Sequence, residues 1–361
     1  MGPTLKRTFA ALEVRNFRLF MFGQGISMVG TWTQTVGVSW LVLKLTHSGT
    51  QLGLVVAAQF LPILLFGVWG GVIADRFTKR RVLYITQALA GLLALTLGLL
   101  VVTQSIQLWM IYVLAAALGL VTAADTPTRQ SFVMEMVGTE HLKNAVTLNS
   151  TLVNMARVIG PTIAGTLIAT IGIGPCFLVN AASYLAVLVA LVLMRAKELQ
   201  PAPHSAAGPG QIRAGLAYAW SVPRIRLTLI MMFIIGTFAY EFPVILPLFA
   251  TVTLHGSAGT YAALMAATGL GAIFGGLYTA GRAEIRETQL ATTAILFGLS
   301  IVLAALMPTF IMALIVLVLV GILSVLFIAL GNTTLQLTSE STMRGRVMAL
   351  WSIAFLGTTP I

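Results

Sequence analysis

Charged residues make up only 9% of this 361-residue sequence, so each place where they could do chemistry stands out. Glu241 lies 15 residues beyond Arg226 within an apolar run, roughly 22 Å along a helix at ~1.5 Å per residue. Desolvation favours the protonated form of such a carboxyl, and a nearby cation favours the ionised form. Glu241 is therefore a candidate proton site; the bland alternative is a wet vestibule position without chemistry. Pro243 and Pro247 follow it and predict a bend. Arg157 lies 13 residues past Asn144, again roughly 20 Å along a helix. An arginine at that depth costs ~2.5–3.5 kcal/mol on insertion scales, so it must face protein or water. Ser150, Asn154, Arg157 and Pro161 have the spacing of one helix face. Either Arg157 works with Glu241 and Asn154 at a polar cavity, or it bonds to backbone carbonyls at the Gly160-Pro161 break. Gln24, Ser27, Thr31 and Gln34 form a polar line that can reach such a cavity, beside a smooth stripe of Gly23, Gly30 and Gly37 expected to pack.

A denser patch of charge spans Gly70 to Arg81, GGVIADRFTKRR. It sits between two apolar runs and reads as a short polar hinge between two membrane-crossing helices. Asp75 ends the first helix, where a carboxylate can pair with a cation or cap a neighbouring helix N-terminus. Arg76, Lys79, Arg80 and Arg81 follow it. Asp125 and Arg129 form a second charged pair at the end of the fourth apolar run.

The elements that position these residues follow from composition. Of the residues, 58% are hydrophobic and 9% charged, where ordinary soluble domains carry about 25% charged residues. Such a chain cannot cover itself with a water-facing surface, so its solvent is lipid. A net charge of +11 could suggest nucleic acid, but the basic residues fall in short clusters between apolar runs, with no basic, aromatic-bearing face. Cys176 is the one cysteine, which excludes an intramolecular disulfide and a cysteine metal site. The histidines lie in or beside predicted loops, and no metal or other cofactor is expected.

A spanning helix needs roughly 20 apolar residues. Ten complete spans are predicted near 17–43, 52–74, 82–102, 108–124, 145–170, 175–194, 227–250, 260–280, 290–307 and 309–330. An eleventh begins near Val347 and is cut off at Ile361, so a truncation within that helix is expected. Alternate loops hold 19 of the 21 basic residues; of the other two, Lys44 lies on the opposite side and Arg157 within a span. By the positive-inside rule the N-terminus is cytoplasmic.

The predicted organisation is a six-helix half (1–194), a cytoplasmic linker (195–226) and an incomplete second half (227–361). The linker contains PAPHSAAGPG (201–210), after which Ile212, Leu216 and Trp220 recur every four residues and suggest a short helix on the membrane surface. The halves echo each other: Gly67 and Gly71 in span two match Gly271 and Gly275 in span eight, each pair allowing close helix approach. Two such halves suit a rocking, alternating-access carrier.

Gly71-x-x-x-Asp75-Arg76-x-x-Lys79-Arg80-Arg81 resembles the loop signature between the second and third spans of the major facilitator superfamily, with Thr78 where the family has glycine. GTWTQTVGVSWLVLKLTHSGTQLGLV (30–55), DTPTRQSF (125–132), NAVTLNS (144–150), ARVIGPTIAG (156–165) and TLQLTSESTMRGRVMAL (334–350) resemble its drug and siderophore exporter branch. The resemblance implies an all-α integral membrane protein of the bacterial cytoplasmic membrane, acting as a monomer. It also implies proton-driven export of a small amphipathic compound, a drug, macrolide or siderophore. Gly71, Asp75, Arg76, Lys79, Arg80 and Arg81 would form a latch between conformational states, with the eleventh helix as partner near Arg344 to Val347. Asp125 and Arg129 would support a cytoplasmic gate. Gly160, Pro161 and Gly165 resemble the antiporter motif of the fifth helix, with Ala164 in place of a usual glycine. An arginine common in the family's fourth span is absent: Ala115 stands there, so its role does not transfer.

An uptake carrier of the same architecture, a non-transporting membrane protein and an inactive fragment are the competing readings. The sequence has no nucleotide-binding P-loop and no histidine–carboxylate cluster.

Overall fold

The computed structural model describes residues 9–200, 211–280, 287–340 and 343–356. Among them 90% are helical and there are no strands. The chain divides into two compact units, Met1–His204 and Ser205–Ile361, a division that falls inside the predicted linker.

The first unit contains α1 (Arg15–Thr46), α2 (Gly49–Arg76), α3 (Lys79–Val102) and α6 (Gly174–Leu193). Between α3 and α6 one helical run, Leu108–Thr170, is interrupted at Gly138, whose φ of 66° and ψ of −176° leave the helical region. Its two crossing pieces are α4 (Leu108–Leu142) and α5 (Asn144–Thr170). The fourth span therefore does not stop near residue 124. It carries Asp125 and Arg129 inside the helix, which is possible because the two charges pair with each other and Thr86 and Gln87 hydrogen-bond the carboxylate. Gly138 supplies the left-handed φ at the reversal, a conformation costly for other residues.

The second unit begins with α7 (Gln211–Ser221), a helix over the stretch of the four-residue recurrence. The seventh span is α8 (Pro223–Ala239) followed by α9 (Phe242–Leu248) and a π turn over Phe249–Thr253. The predicted bend is a break at Tyr240–Glu241. Pro243 has no N–H to give the carbonyl four residues earlier, so the helix ends and restarts. Then come α10 (Ala258–Ala280), α11 (Glu287–Ala305), α12 (Phe310–Thr338) and α13 (Arg344–Leu356). Among the described residues, eight helices are long and apolar enough to cross a membrane. α1 carries the polar line and Gln289–Ala305 is a shorter apolar helix. These ten helices fall on the predicted spans, and α13 lies over the stretch where an eleventh is expected.

Large apolar side chains cover the outside. Leu92, Leu95 and Leu99 of α3 and Leu185, Val189 and Val192 of α6 are exposed, as lipid-facing surfaces require. The interior is closed by glycine contacts. On α1, Gly23 lies against Ala186 and Ala190, Gly30 against Asn180 and Ser183, and Gly37 against Cys176 and Phe177, all on α6. The smooth stripe thus packs as expected. α2 meets α4 where Gly70 and Gly119 touch backbone of the other helix, at Ala123 and Gln59. α10 meets α12 in the same way through Gly271, Gly275 and Gly321. In the first half the close approach uses Gly70, while Gly67 and Gly71 face open space.

Adding a methyl at Gly271 drives it into the Val318 backbone, and backbone cannot yield as a side-chain tip can. Gly271→Ala should lower stability by about 1–3 kcal/mol. Gly298→Ala, where nothing lies within 4 Å, should be neutral or gain up to ~1 kcal/mol. Thermal unfolding in detergent measures both.

Candidate functional site

Charge in the first unit is concentrated at the hinge end of its helices. Lys79, at the start of α3, pairs with Glu135 of α4 at 2.6 Å, and both side chains are 12% exposed. Arg80 donates to the carbonyls of Leu191 and Val192 at 2.7 and 3.1 Å, and Arg15 to that of Leu193 at 3.1 Å. These carbonyls end α6, where a helix has no internal donors left and its dipole favours cations. Asn16 completes the cap by exchanging two 3.0 Å bonds with the Arg195 backbone. Below this layer Phe17, Phe20, Leu83, Phe132, Met136, Val187 and Leu191 pack into a buried core joining α1, α3, α4 and α6.

Lys79 and Arg80 are thus engaged inside the first unit, whereas Arg76 and Arg81 are exposed. Glu135 was not anticipated as a partner, although it and Glu140 are the only acidic residues between Asp125 and Glu198. The side chains of Asp75 and Arg344, and residues Arg282 and Arg286, lie outside the described set.

Deeper in, Asp125 is 5% exposed and fully coordinated. Thr86 and Gln87 of α3 donate to its Oδ1 at 2.6 and 2.8 Å, and Arg129 one turn along α4 pairs with Oδ2. A buried carboxylate is tolerated only when paired and hydrogen-bonded in this way. The cluster fastens α3 to α4.

A third constellation joins α1, α5 and α6. A Cβ on Gly160 would meet the Val29 carbonyl at 2.8 Å and the Thr33 amide at 3.1 Å, so α1 crosses α5 there at backbone distance. Thr33 seals the crossing by donating to the Gly160 carbonyl at 3.1 Å. One turn before Gly160, the Arg157 guanidinium stacks over the Trp32 ring, 5.1 Å from its centroid. Such stacking occupies a face of the guanidinium and leaves its edge donors in plane. Asn154 donates to the Ser150 carbonyl at 3.0 Å. The polar line of α1 turns mostly inward. Gln34 accepts from Asn180 at 2.8 Å, Gln24 is 1% exposed, Ser27 is buried, and Thr31 alone is exposed.

In the second unit Glu241 sits at the break between α8 and α9, half-buried, and its carbonyl accepts from Val244 and Ile245 at 3.1 and 2.9 Å. The preceding Tyr240 holds the break. Its hydroxyl donates to the Ser324 carbonyl at 2.8 Å, and its ring meets Phe242, Phe297 and Phe355 at centroid distances of 6.3, 5.4 and 5.3 Å. Tyr240 thereby ties the seventh span to α11, α12 and α13, a role that its sequence context does not signal. Glu241 and Arg157 belong to different units.

This all-helical arrangement is that of a major facilitator superfamily transporter. The chain belongs to the family described as transmembrane secretion effector (MFS_3), which it matches over residues 6–360. It is 33% identical to a staphyloferrin A transporter of Staphylococcus aureus over 49% of this chain and 45% of that protein. With the enterobactin exporter EntS of Citrobacter koseri it shares 28% identity over 93% of this chain and 80% of that one. Among solved structures, a bacterial homologue of the lysosomal transporter Spinster superposes with a TM-score of 0.73, at 16% identity, over 99% of this chain and 81% of that one. A POT family transporter superposes with a TM-score of 0.75, at 13% identity, over 96% and 88%. These structural relatives share the fold. Relatives and fold alike are those of a membrane transporter rather than an enzyme.

Asp125→Ala should cost about 3–5 kcal/mol, because Arg129 is left as a charge without its carboxylate. The pair Asp125→Asn with Arg129→Gln should cost clearly less than the single change. A denaturation series on the three proteins reads the difference.

Proposed function

We propose that this chain is a secondary active exporter that expels a small amphipathic compound, a siderophore or drug, in exchange for protons. The observation that carries the reading is the family match over residues 6–360, supported by the exporter named among the relatives. The membrane is the bacterial cytoplasmic membrane, with the N-terminus and the basic loops inside. In this reading Glu241 is the proton carrier, since it is the carboxyl at a helix break within the seventh span. Arg157 and Asn154 form the polar surface of the first half toward substrate, and buried Gln24 and Gln34 shape α1 behind them. Gly160, Pro161 and Gly165 act as the pivot at the α1–α5 crossing.

The hinge latches one conformational state. Lys79 and Arg80 anchor the hinge at the start of α3, and together with Gly71, Asp75, Arg76 and Arg81 they make up the latch. Asp125 and Arg129 stiffen the gate that this contact closes.

Inverted membrane vesicles provide the test, with enterobactin and ethidium as probes. Accumulation should require an imposed proton gradient and collapse with a protonophore. Glu241→Gln should lose at least tenfold in gradient-driven accumulation while gradient-free exchange persists. Depletion from the vesicles, instead of accumulation, would make this an uptake carrier. Accumulation by Glu241→Gln that still collapses with the gradient would contradict the proton role. Asp75→Asn should transport more slowly and shift the ratio of inward- to outward-open molecules; a normal rate with an unchanged ratio would contradict the latch.

A further inference from the structure

α7 carries a surface that the transport reading does not use. One face of the helix is docked inside the second unit. Gly215 lies against Arg346, where an added Cβ would come within 2.9 Å. The Tyr218 hydroxyl accepts from the Glu340 amide at 3.1 Å, and Ala219 is buried with Ile225, Leu335 and Val347. α7 is thereby pinned to the turn between α12 and α13. Its other face exposes Leu216 and Trp220, one helical turn apart and 50% and 59% exposed.

The height of that face is fixed by the chain. α7 ends at Ser221 and α8, within the seventh span, begins at Pro223. Hydrogen bonds from the Val222 amide to Tyr218 and from the Arg226 amide to Val222, at 3.3 and 3.0 Å, carry the helix across the join. Trp220 therefore sits within a turn of the start of the candidate span Pro223–Thr253, and tryptophan concentrates at the ends of such spans in membrane proteins. Leu227, in the first turns of α8, extends the apolar exposure. The surroundings are cationic. Arg226 stacks over the Trp220 ring at 5.9 Å and donates to the Trp220 carbonyl at 3.4 Å, and Arg224 is exposed beside it. No acidic residue lies between Glu198 and Glu241.

We infer that Leu216, Trp220, Arg224 and Arg226 form a binding site for anionic phospholipid of the leaflet that faces the basic loops. The apolar pair enters the acyl–headgroup boundary, and the arginines, with stems along apolar surface, hold the headgroup phosphate. Because the opposite face of α7 holds the α12–α13 turn, bound anionic lipid braces the start of α13.

The test places an environment-sensitive fluorophore on Leu216→Cys in the full chain, with buried Cys176 left in place, in vesicles of phosphatidylcholine and phosphatidylglycerol. Doxyl-labelled phosphatidylglycerol should quench the fluorophore several-fold more than doxyl-labelled phosphatidylcholine. Each arginine near the surface contributes about fivefold to the preference. Arg224→Gln with Arg226→Gln should abolish it, and high salt should do the same to the otherwise unmodified protein. A water-like emission without quenching would overturn the membrane contact. Equal quenching by the two lipids, unmoved by salt, would overturn the anionic site.

Discussion

Hydrocarbon solvates neither a charge nor a free backbone amide, and that constraint decides where each polar group of this chain can stand. Asp125 shows its strength. The carboxylate lies inside a membrane-crossing helix because Thr86, Gln87 and Arg129 replace water around it. Lys79 and Glu135 do the same for each other nearer the hinge, and Arg80 and Arg15 are absorbed by the open carbonyls at the end of α6. The first unit is held by these internal substitutes for solvent, together with glycine contacts that bring helix backbones together where lipid supplies no hydrophobic drive.

The same constraint separates fixtures from working groups. A charge whose partner lies in its own unit is held there; Lys79 with Glu135 and Asp125 with Arg129 are such pairs. Glu241 stands instead at a helix break beside a tyrosine whose contacts reach three other helices. A change in its protonation would act on a joint already interrupted by Pro243. That arrangement underlies the choice of Glu241 over Asp125 as the proposed proton carrier.

Much of this was legible in the sequence because the lipid signal is long and repetitive. The apolar runs and the helix at 211–221 each depend on many residues, so single exceptions do not erase them. The end of the fourth span was misplaced because Asp125 and Arg129 read as a polar boundary; they instead pair with each other inside the helix, and the donors Thr86 and Gln87 on α3 complete the carboxylate's hydrogen bonding. Gly70 and Gly71 are indistinguishable by motif, yet the backbone contact is made by Gly70. Glu135 could have been found by asking which carboxylate balances Lys79, since few acidic residues are available. The inward turn of Gln24 and Gln34 and the contacts of Tyr240 depend on helix rotation and three-dimensional packing, which spacing along one helix does not encode.

The central claim is that substrate movement and proton movement are one event in this chain. Proteoliposomes holding a trapped pH indicator test it directly, with no imposed gradient and with enterobactin added to one side. The account predicts proton flux opposite to substrate flux, in fixed ratio, and its loss in Glu241→Gln. Substrate crossing with no accompanying proton movement would contradict it.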